Sequence, residues 1–159
     1  MGKKDEKTNV MRLLEQNGIA YTAHLYTDTD VVGGMDVAAA LNEEPERVFK
    51  TLVTVGASKQ NFVFVIPVNT ELHLKKAAQA VGEKSIEMIR AKELLPLTGY
   101  IHGGCSPIGM KKLFRTFVDE TAQLFDTIMY SGGKIGYQVE TSPADLEKMI
   151  PVEYADLTK

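Results

Sequence analysis

Cysteine is almost absent from this sequence of 159 residues, in which Cys105 is the single example. One cysteine cannot form an internal disulfide, and no CxxC or HxxxH spacing offers a zinc site. With 44% hydrophobic residues, a chain of this length can bury an ordinary core without such supports. We therefore expect neither a disulfide nor a bound metal, and no cofactor.

Long hydrophobic runs and an excess of positive charge are also missing. The longest apolar run covers residues 62–68, too short for a membrane span, and no apolar segment follows Lys3, Lys4 and Lys7 as a signal peptide requires. These absences predict a cytoplasmic protein without a membrane partner. A net charge of −3 argues against a broad grip on a nucleic-acid duplex, so any nucleic acid must be held locally.

The organisation predicted along the chain is one α+β domain over residues 1–159, with a flexible segment at residues 1–7. No repeat or linker divides the sequence. Helical spacing and end signals predict helices over 8–16, 35–41, 74–81 and 91–95, a helical turn at Pro45, and a closing helix capped by Ser142. Residues 48–55 and 62–68 predict a hairpin, and shorter strands are expected over 19–26, 85–89, 113–118, 127–130 and 137–139. Because these elements do not alternate regularly, we expect a mixed, strongly curved, barrel-like sheet with flanking helices.

Lys50 breaks the pattern of the first hairpin strand. Lys50 shares a face with the apolar Val48 and Leu52, while the apolar Phe49 and Val53 occupy the other face. An unpaired charge in such a strand is costly to bury. Lys50 must therefore either serve a cavity or lie at a sheet edge and extend into water.

Two glycine-rich loops are the other candidate features. Residues 103–109 have Gly104 and Gly109 at the spacing of a phosphate loop, but Met110 follows where that motif needs lysine, which disfavours a nucleotide triphosphatase. Residues 131–136 resemble a hairpin turn. Each loop is either an ordinary connection or half the rim of one polar pocket, and Lys111, Lys112, Arg115 and Lys134 are either a local positive field or solvated surface.

Other reactive side chains lack obvious partners in the sequence. Cys105 has no identifiable activating histidine, since His102 three residues earlier does not establish a contact. His24 and His73 are isolated and are interpreted as structural or exposed. The residues alone therefore point to no paired nucleophile and base.

Taken together, residues 48–52, 103–109 and 131–134 resemble the YbaK/EbsC family of Cys-tRNA(Pro) deacylases, which is related to the editing insertion domain of bacterial prolyl-tRNA synthetase. The resemblance extends from Val10 to Leu157. It implies the YbaK-type fold and a trans-acting enzyme that cleaves the ester between a misattached amino acid and the terminal adenosine of tRNA. It also implies substrate assistance, in which the thiol of the cysteinyl group attacks its own carbonyl carbon and forms a cyclic thiolactone.

The resemblance assigns site residues one by one. Lys50 matches a pocket lysine that holds the terminal nucleotide and stabilises developing negative charge, Gly103 a glycine whose backbone lies against the aminoacyl carbonyl, and Ser131 the hydroxyl of the second loop. These three are the expected catalytic residues. The expected substrate-binding residues are Tyr26, Gly104, Ser106, Pro107, Gly132, Gly133, Lys134 and Gln138.

Two departures from the family pattern border the expected amino-acid pocket. Gln138 stands where relatives carry an acidic residue, and the loop 31–34 after Tyr26 is shorter and lacks an aromatic. The expected partners are a mischarged tRNA and, in a ternary complex, prolyl-tRNA synthetase. The alternative function is a noncatalytic module that binds the tRNA 3′ end or a nucleotide as an accessory of that synthetase.

Overall fold

Five α-helices and eight short strands make up residues 7–159, the part of the chain that the computed structural model describes. The helices are α1 (Asn9–Gln16), α2 (Gly34–Ala40), α3 (Leu74–Val81), α4 (Ala91–Thr98) and α5 (Pro143–Met149). The strands are β1 (Thr22–Leu25), β2 (Phe49–Gly56), β3 (Asn61–Pro67), β4 (Ile86–Met88), β5 (Arg115–Asp119), β6 (Ile128–Ser131), β7 (Tyr137–Thr141) and β8 (Val152–Ala155). Two 3₁₀ turns, Pro45–Arg47 and Glu120–Leu124, precede β2 and follow β5.

Local capping explains why several helices begin and end where the sequence predicts. The Thr8 side chain accepts a hydrogen bond from the Met11 amide at 3.2 Å, and Ser142 accepts one from the Asp145 amide at 3.0 Å. Gly82 ends α3 in the left-handed conformation, with φ of +81°. The predicted helices over 8–16 and 74–81, the closing helix and the β2–β3 hairpin are thereby confirmed.

The strands form two sheets in the described residues. The larger sheet has the order β4-β2-β3-β5-β8 and is mixed, because β2 pairs antiparallel with β3 and β4 while β5 pairs parallel with β3 and β8. The smaller antiparallel sheet has the order β1-β7-β6. An isolated bridge between Val48 and Met129 connects the two. The mixed α+β prediction is confirmed, the described residues form no closed barrel, and strong curvature of the sheet stays a prediction.

Both faces of the β2–β3 hairpin are covered. Phe49, Val53, Val63 and Val65 belong to a core shared with α1 and the smaller sheet. On the opposite face, Phe62, Phe64 and Ile66 pack with residues of α3. Lys50 pairs in register with Ile66 and so belongs to the α3 face. The alternation of apolar residues in β2 is thus that of a strand buried from both sides.

Two elements differ from the sequence prediction. A helix ending before Pro96 was expected, yet α4 continues to Thr98. The Thr98 hydroxyl donates to the Leu94 carbonyl at 2.7 Å and the Gly99 amide to the Leu95 carbonyl at 2.8 Å, so the last turn is held despite the proline. Strand β8 was not predicted, because four residues after Pro151 carry little periodic signal until they pair with β5.

The predicted flexible segment at residues 1–7 lies outside the described residues except for Lys7. The Lys7 ammonium lies 2.8 Å from a carboxylate oxygen of Glu15 in α1.

Candidate active site

A cavity of about 320 Å³ opens at the edge of β2, between the two sheets. Strand β4 pairs with β2 only from Thr54 onward, so the first residues of β2 have no neighbouring strand on that side. The end of β6, the middle of β7, the residue after β1 and the loop at Gly103 close around this open edge. The volume lies at the lower end of the range of ligand pockets, which suits a small group rather than a large one.

Lys50 lies in the wall of this cavity, half-buried on the α3 face of β2. Burial lowers the pKa of its ammonium, and the nearby carboxylate of Glu71 opposes that shift. In the described residues the Lys50 ammonium makes no hydrogen bond. The structure therefore combines the two alternatives that the sequence left open, since Lys50 lines a cavity at an unpaired stretch of the β2 edge.

Three buried polar atoms with no hydrogen-bond partner among the described residues belong to residues that line the same cavity. They are the Tyr26 hydroxyl, the Thr51 hydroxyl and the Gln138 side-chain oxygen. Tyr26 is 2% exposed and Gln138 is 6% exposed. Because a buried polar group without a partner costs about 1–3 kcal/mol, their coincidence in one cavity indicates a place where a ligand supplies the missing bonds.

Ser131 ends β6 and pairs in register with Gln138 of β7. Its hydroxyl oxygen accepts a hydrogen bond from the Gly133 amide at 3.1 Å, which shapes the turn that follows. The side chain is buried and lines the cavity. It therefore has a fixed acceptor bond and retains a hydroxyl proton for a ligand.

The two glycine loops meet at the mouth of the cavity. A Cβ atom on Gly104 would lie 3.1 Å from the Ile135 amide nitrogen and 3.2 Å from Lys134 Cα. Gly103 has φ of +87°, and a Cβ there would collide with Val32 and lie 3.4 Å from Ile135 Cγ1. Glycine is favoured at position 104 because the backbone of residues 134–135 approaches it closely, and at position 103 because of its left-handed φ and the side chain of Val32.

The other predicted site residues shape these loops without lining the cavity. The Ser106 hydroxyl, fully buried, accepts a hydrogen bond from the Ile108 amide at 3.3 Å. Lys134 is exposed, and its backbone rather than its side chain lies against Gly104. Of the eleven residues predicted, the cavity brings together Tyr26, Lys50, Gly103, Ser131 and Gln138 and leaves out Gly104, Ser106, Pro107, Gly132, Gly133 and Lys134.

The basic residues near the first loop do not contribute to the cavity either. Lys111 donates to the Pro96 carbonyl at 3.4 Å, and Lys112 is exposed. Arg115 pairs with Glu153 at 3.0 Å and stacks 5.0 Å from the Phe117 ring centroid. Among residues 7–159, Lys50 is the lysine that lines the cavity, and no arginine lines it.

Cys105 and His102 both line the cavity, but no hydrogen bond between them is found in the described part of the chain. Burial raises the pKa of the Cys105 thiol to about 12. At neutral pH the side chain is therefore a protonated thiol and a poor nucleophile.

Sequence reasoning missed Thr51 and the apolar wall as parts of the site. Thr51 is a polar residue on the otherwise apolar face of Phe49 and Val53, a signal of the same kind as Lys50 on the other face. The wall residues carry no such signal, because they are indistinguishable in sequence from core residues. They include Val37, Val48, Val68 and Leu94.

A polar network behind the cavity holds β2 and β7 in place. Glu140 accepts hydrogen bonds from Arg47 at 2.9 Å, from His24 at 2.7 Å and from Thr127. Burial alone raises the pKa of Glu140, but the bonds from Thr127 and His24 and the charge of Arg47 outweigh it and lower that pKa. Arg47 immediately precedes β2, so the network links the start of that strand to the strand of Gln138.

The described residues contain no group of three or more His, Cys, Asp or Glu side chains arranged to hold a metal ion. Within the same residues, every helix is too short or too polar to cross a membrane.

Comparison with known proteins places the chain in a family. Residues 30–149 match the model of the aminoacyl-tRNA editing domain, and the chain belongs to that family. A curated protein of Enterococcus faecalis, EbsC, named as a Cys-tRNA(Pro)/Cys-tRNA(Cys) deacylase, is 45% identical over 157 residues, covering 98% of this chain and 96% of the relative.

Two solved structures share the fold. One, described as a trans-editing enzyme for prolyl-tRNA synthetase, superposes with a TM-score of 0.82 at 24% identity and covers 97% of this chain and 99% of its own. Another, described as a hypothetical protein, has a TM-score of 0.87 at 22% identity and covers 96% of this chain and 100% of its own. The family resemblance expected from the three sequence motifs is confirmed.

Proposed function

We propose that the chain is a trans-acting deacylase that cleaves the aminoacyl ester of Cys-tRNA(Pro), with assistance from the thiol of the substrate. The observation that supports this proposal most directly is the cavity, which combines the Lys50 ammonium with three buried polar atoms that have no partner in the described residues. Membership of the editing-domain family and the name of the 45% identical relative support the same substrate class.

We assign the groups as the family resemblance implies, and the charge and burial of the cavity residues support this assignment. Lys50 is the cation beside the cavity, so it holds the terminal nucleotide and stabilises the negative charge that develops on the carbonyl oxygen. The Gly103 backbone lines the cavity and is assigned to the aminoacyl carbonyl. The Gln138 oxygen accepts from the amino group of the substrate, and the hydroxyls of Tyr26, Thr51 and Ser131 hold the remaining polar atoms.

The chemistry requires no nucleophile from the protein. The substrate sulfur forms a bond to its own carbonyl carbon, the carbon–oxygen ester bond breaks, and the thiol proton ends on the ribose oxygen that leaves. The products are a tRNA with a free terminal hydroxyl and a cyclic thiolactone. The protein contributes by holding thiol and carbonyl in an attack geometry, which removes an entropic barrier. The raised pKa of Cys105 agrees with a passive role for the enzyme thiol.

Deacylation of a panel of tRNAs tests the proposal. Purified protein is incubated with Cys-tRNA(Pro), Ser-tRNA(Pro), Ala-tRNA(Pro) and Pro-tRNA(Pro), and release of the labelled amino acid is followed. We expect release from the cysteinyl substrate and much slower release from the seryl substrate, because a hydroxyl is a weaker nucleophile than a thiol. Equal rates for cysteine and serine would rule out thiol assistance, and no release above background from a folded protein would rule out the deacylase.

The matched variants are Lys50→Ala and Lys84→Ala. Both remove one lysine charge, but Lys84 is exposed and lies outside the cavity. Loss of the Lys50 charge should reduce kcat/KM by about a hundredfold or more, the usual effect of removing one group that stabilises developing charge. Lys84→Ala should match the wild type, and circular dichroism should show all three proteins folded.

A noncatalytic module that binds the tRNA 3′ end is the alternative, because no carboxylate lines the cavity and no nucleophile is hydrogen-bonded to a base there within residues 7–159. Salt-sensitive tRNA binding without turnover would favour this alternative. We also propose a single editing domain over the whole chain, a cytoplasmic location, and a ternary complex with prolyl-tRNA synthetase. Co-sedimentation of the protein with the synthetase, with and without tRNA(Pro), tests the complex.

A further inference from the structure

A second, more open depression of about 550 Å³ adjoins the cavity. We call it the lysine groove; it lies between the start of β2, the N-terminal end of α3 and the C-terminal residues. Lys50 and Leu52 line both the cavity and the groove, so the two spaces adjoin at these side chains.

The charge of the groove is positive. Lys50, Lys75 and Lys159 line it against one acidic side chain, that of Glu71. Glu71 is already engaged, because its carboxylate lies 3.1 Å from the Lys159 ammonium. The groove therefore offers a local cationic surface on a chain whose net charge is −3.

Lys75 is a lysine of the groove whose side chain has no partner in the described part of the fold. It lies in the first turn of α3, where the helix dipole disfavours a positive charge. The neighbouring Lys76 is compensated by Asp156 at 2.9 Å and by the Thr158 carbonyl at 2.8 Å. Lys75 is exposed and has no ion pair or side-chain hydrogen bond within residues 7–159. Its charge is therefore available to an anion from outside.

Apolar side chains lie beside these cations. Leu74 is 44% exposed and Met88 is 48% exposed, and both line the groove. A phosphate attracts the ammonium groups, while the flat face of a nucleobase can cover apolar side chains. A single-stranded nucleotide carries both features, whereas a free phosphate leaves Leu74 and Met88 uncovered.

We propose that the lysine groove binds the phosphodiester and the nucleotide that precede the terminal adenosine of the RNA substrate. The inference rests on the proposed function, which places the aminoacyl end in the cavity, and extends it to the next unit of the chain. Lys50 lies at the junction between the two, and Lys75 contacts the phosphate farther out. The protein thereby recognises a short single strand rather than an isolated aminoacyl nucleoside.

Two substrates of different length test the proposal. Deacylation is measured on Cys-tRNA(Pro) and on the cysteinyl ester of adenosine, which lacks the preceding nucleotide, for wild type, Lys75→Ala, Lys84→Ala and Lys112→Ala. Lys75→Ala should lower kcat/KM for the tRNA about two- to tenfold more than for the nucleoside ester, as expected for one phosphate contact. Lys84→Ala should leave the ratio of the two substrates unchanged.

Binding gives a readout that does not depend on turnover. The affinity for the trinucleotide CCA is measured against salt concentration, and Lys75→Ala should reduce the slope of log K against log salt by about 0.7. Equal losses on both substrates with an unchanged slope would overturn the groove. A loss of affinity for CCA in Lys112→Ala but not in Lys75→Ala would also overturn the groove. It would place the RNA beside the first glycine loop.

The two proposals fail in different ways. If the wild type deacylates neither substrate, the proposed function is wrong, and the CCA measurement still decides whether the groove binds a nucleotide. If the wild type deacylates both and Lys75→Ala is indistinguishable from Lys84→Ala, the deacylase stands and the groove is wrong.

Discussion

Ser131 and Gln138 face each other in register across β6 and β7, and both line the same cavity. The Ser131 hydroxyl accepts from the Gly133 amide, whereas the Gln138 oxygen has no partner among the described residues. One cross-strand pair thus combines a group fixed by the fold with a group left for a ligand. The same contrast separates Tyr26, whose hydroxyl has no partner, from Tyr130 deeper in the core.

Tyr26→Phe should reduce activity without reducing stability. The substitution removes a buried hydroxyl that has no hydrogen-bond partner in the described residues, so the folded protein loses no bond and avoids a desolvation cost. The free energy of unfolding in urea should stay equal or rise by up to about 1 kcal/mol. The value of kcat/KM for Cys-tRNA(Pro) should fall about tenfold, as expected for loss of one hydrogen bond to the substrate.

Tyr130→Phe is the matched control. The Tyr130 ring is fully buried, and its hydroxyl is hydrogen-bonded to the Thr141 hydroxyl at 3.0 Å. This variant should lose about 1 kcal/mol of stability, because it leaves the Thr141 hydroxyl without that partner, and should keep its activity. If Tyr26→Phe were the more destabilised of the two, the interpretation of Tyr26 as a ligand-binding group would be wrong.

The activity should decline at alkaline pH as Lys50 loses its proton. Burial lowers the pKa of Lys50, and Glu71 opposes this shift because its negative charge favours the ammonium. Glu71→Gln removes the opposing charge, so the pKa falls further and the alkaline decline of kcat/KM moves to lower pH. The pH profiles of both proteins on Cys-tRNA(Pro), corrected for uncatalysed hydrolysis, measure the displacement.

Two variants check the cause of that decline. Lys50→Arg keeps its charge at all the pH values used, so its residual activity should show no alkaline decline. Lys159→Ala breaks the ion pair with Glu71 but keeps the Glu71 charge, so it should not move the decline to lower pH. If the alkaline decline of kcat/KM moved to higher pH in Glu71→Gln, the attribution of that decline to Lys50 would be wrong.

Cys105→Ala should be active. Burial raises the pKa of this thiol to about 12, and the proposed reaction uses the sulfur of the substrate instead. The rate of modification by iodoacetamide at pH 7 should also be slow in the folded wild type and fast after unfolding. Inactivation by Cys105→Ala in a folded protein would restore the possibility of an enzyme thiolate.

Much of the local structure was predictable from the sequence because its signals are local. Alternating apolar residues define the β2–β3 hairpin, and Gly82 marks the end of α3. The predicted end of α4 before Pro96 was wrong, because hydrogen bonds from the side chain of Thr98 and the amide of Gly99 hold the last turn of the helix. A rule based on proline alone does not include them.

The site was predictable where a residue breaks its own pattern. Lys50 is a charge in an apolar strand, so the sequence marks it before any contact is known, whereas Gly103 was assigned only through the family resemblance. Val37, Val68 and Leu94 come from three distant segments and are apolar, so only the fold shows that they face a cavity rather than the core. The unpartnered state of Thr51 likewise depends on tertiary packing.

Gly103→Ala should be more harmful than the same substitution at another glycine of similar backbone conformation. Gly103 has φ of +87° and Gly18 has φ of +71°, so alanine meets a comparable backbone penalty of about 1 kcal/mol at both positions. A Cβ on Gly18 meets nothing within 4 Å, whereas one on Gly103 collides with Val32. Urea unfolding should therefore show about 1–3 kcal/mol of additional destabilisation for Gly103→Ala, the usual cost of overpacking.

A double variant isolates the collision. Shortening the neighbour in Val32→Ala removes the methyl carbon that the new Cβ would meet, so Gly103→Ala with Val32→Ala should recover part of the additional loss of stability. If Gly103→Ala were no more destabilising than Gly18→Ala, the close approach of Gly103 to the Val32 side chain would not exist in solution.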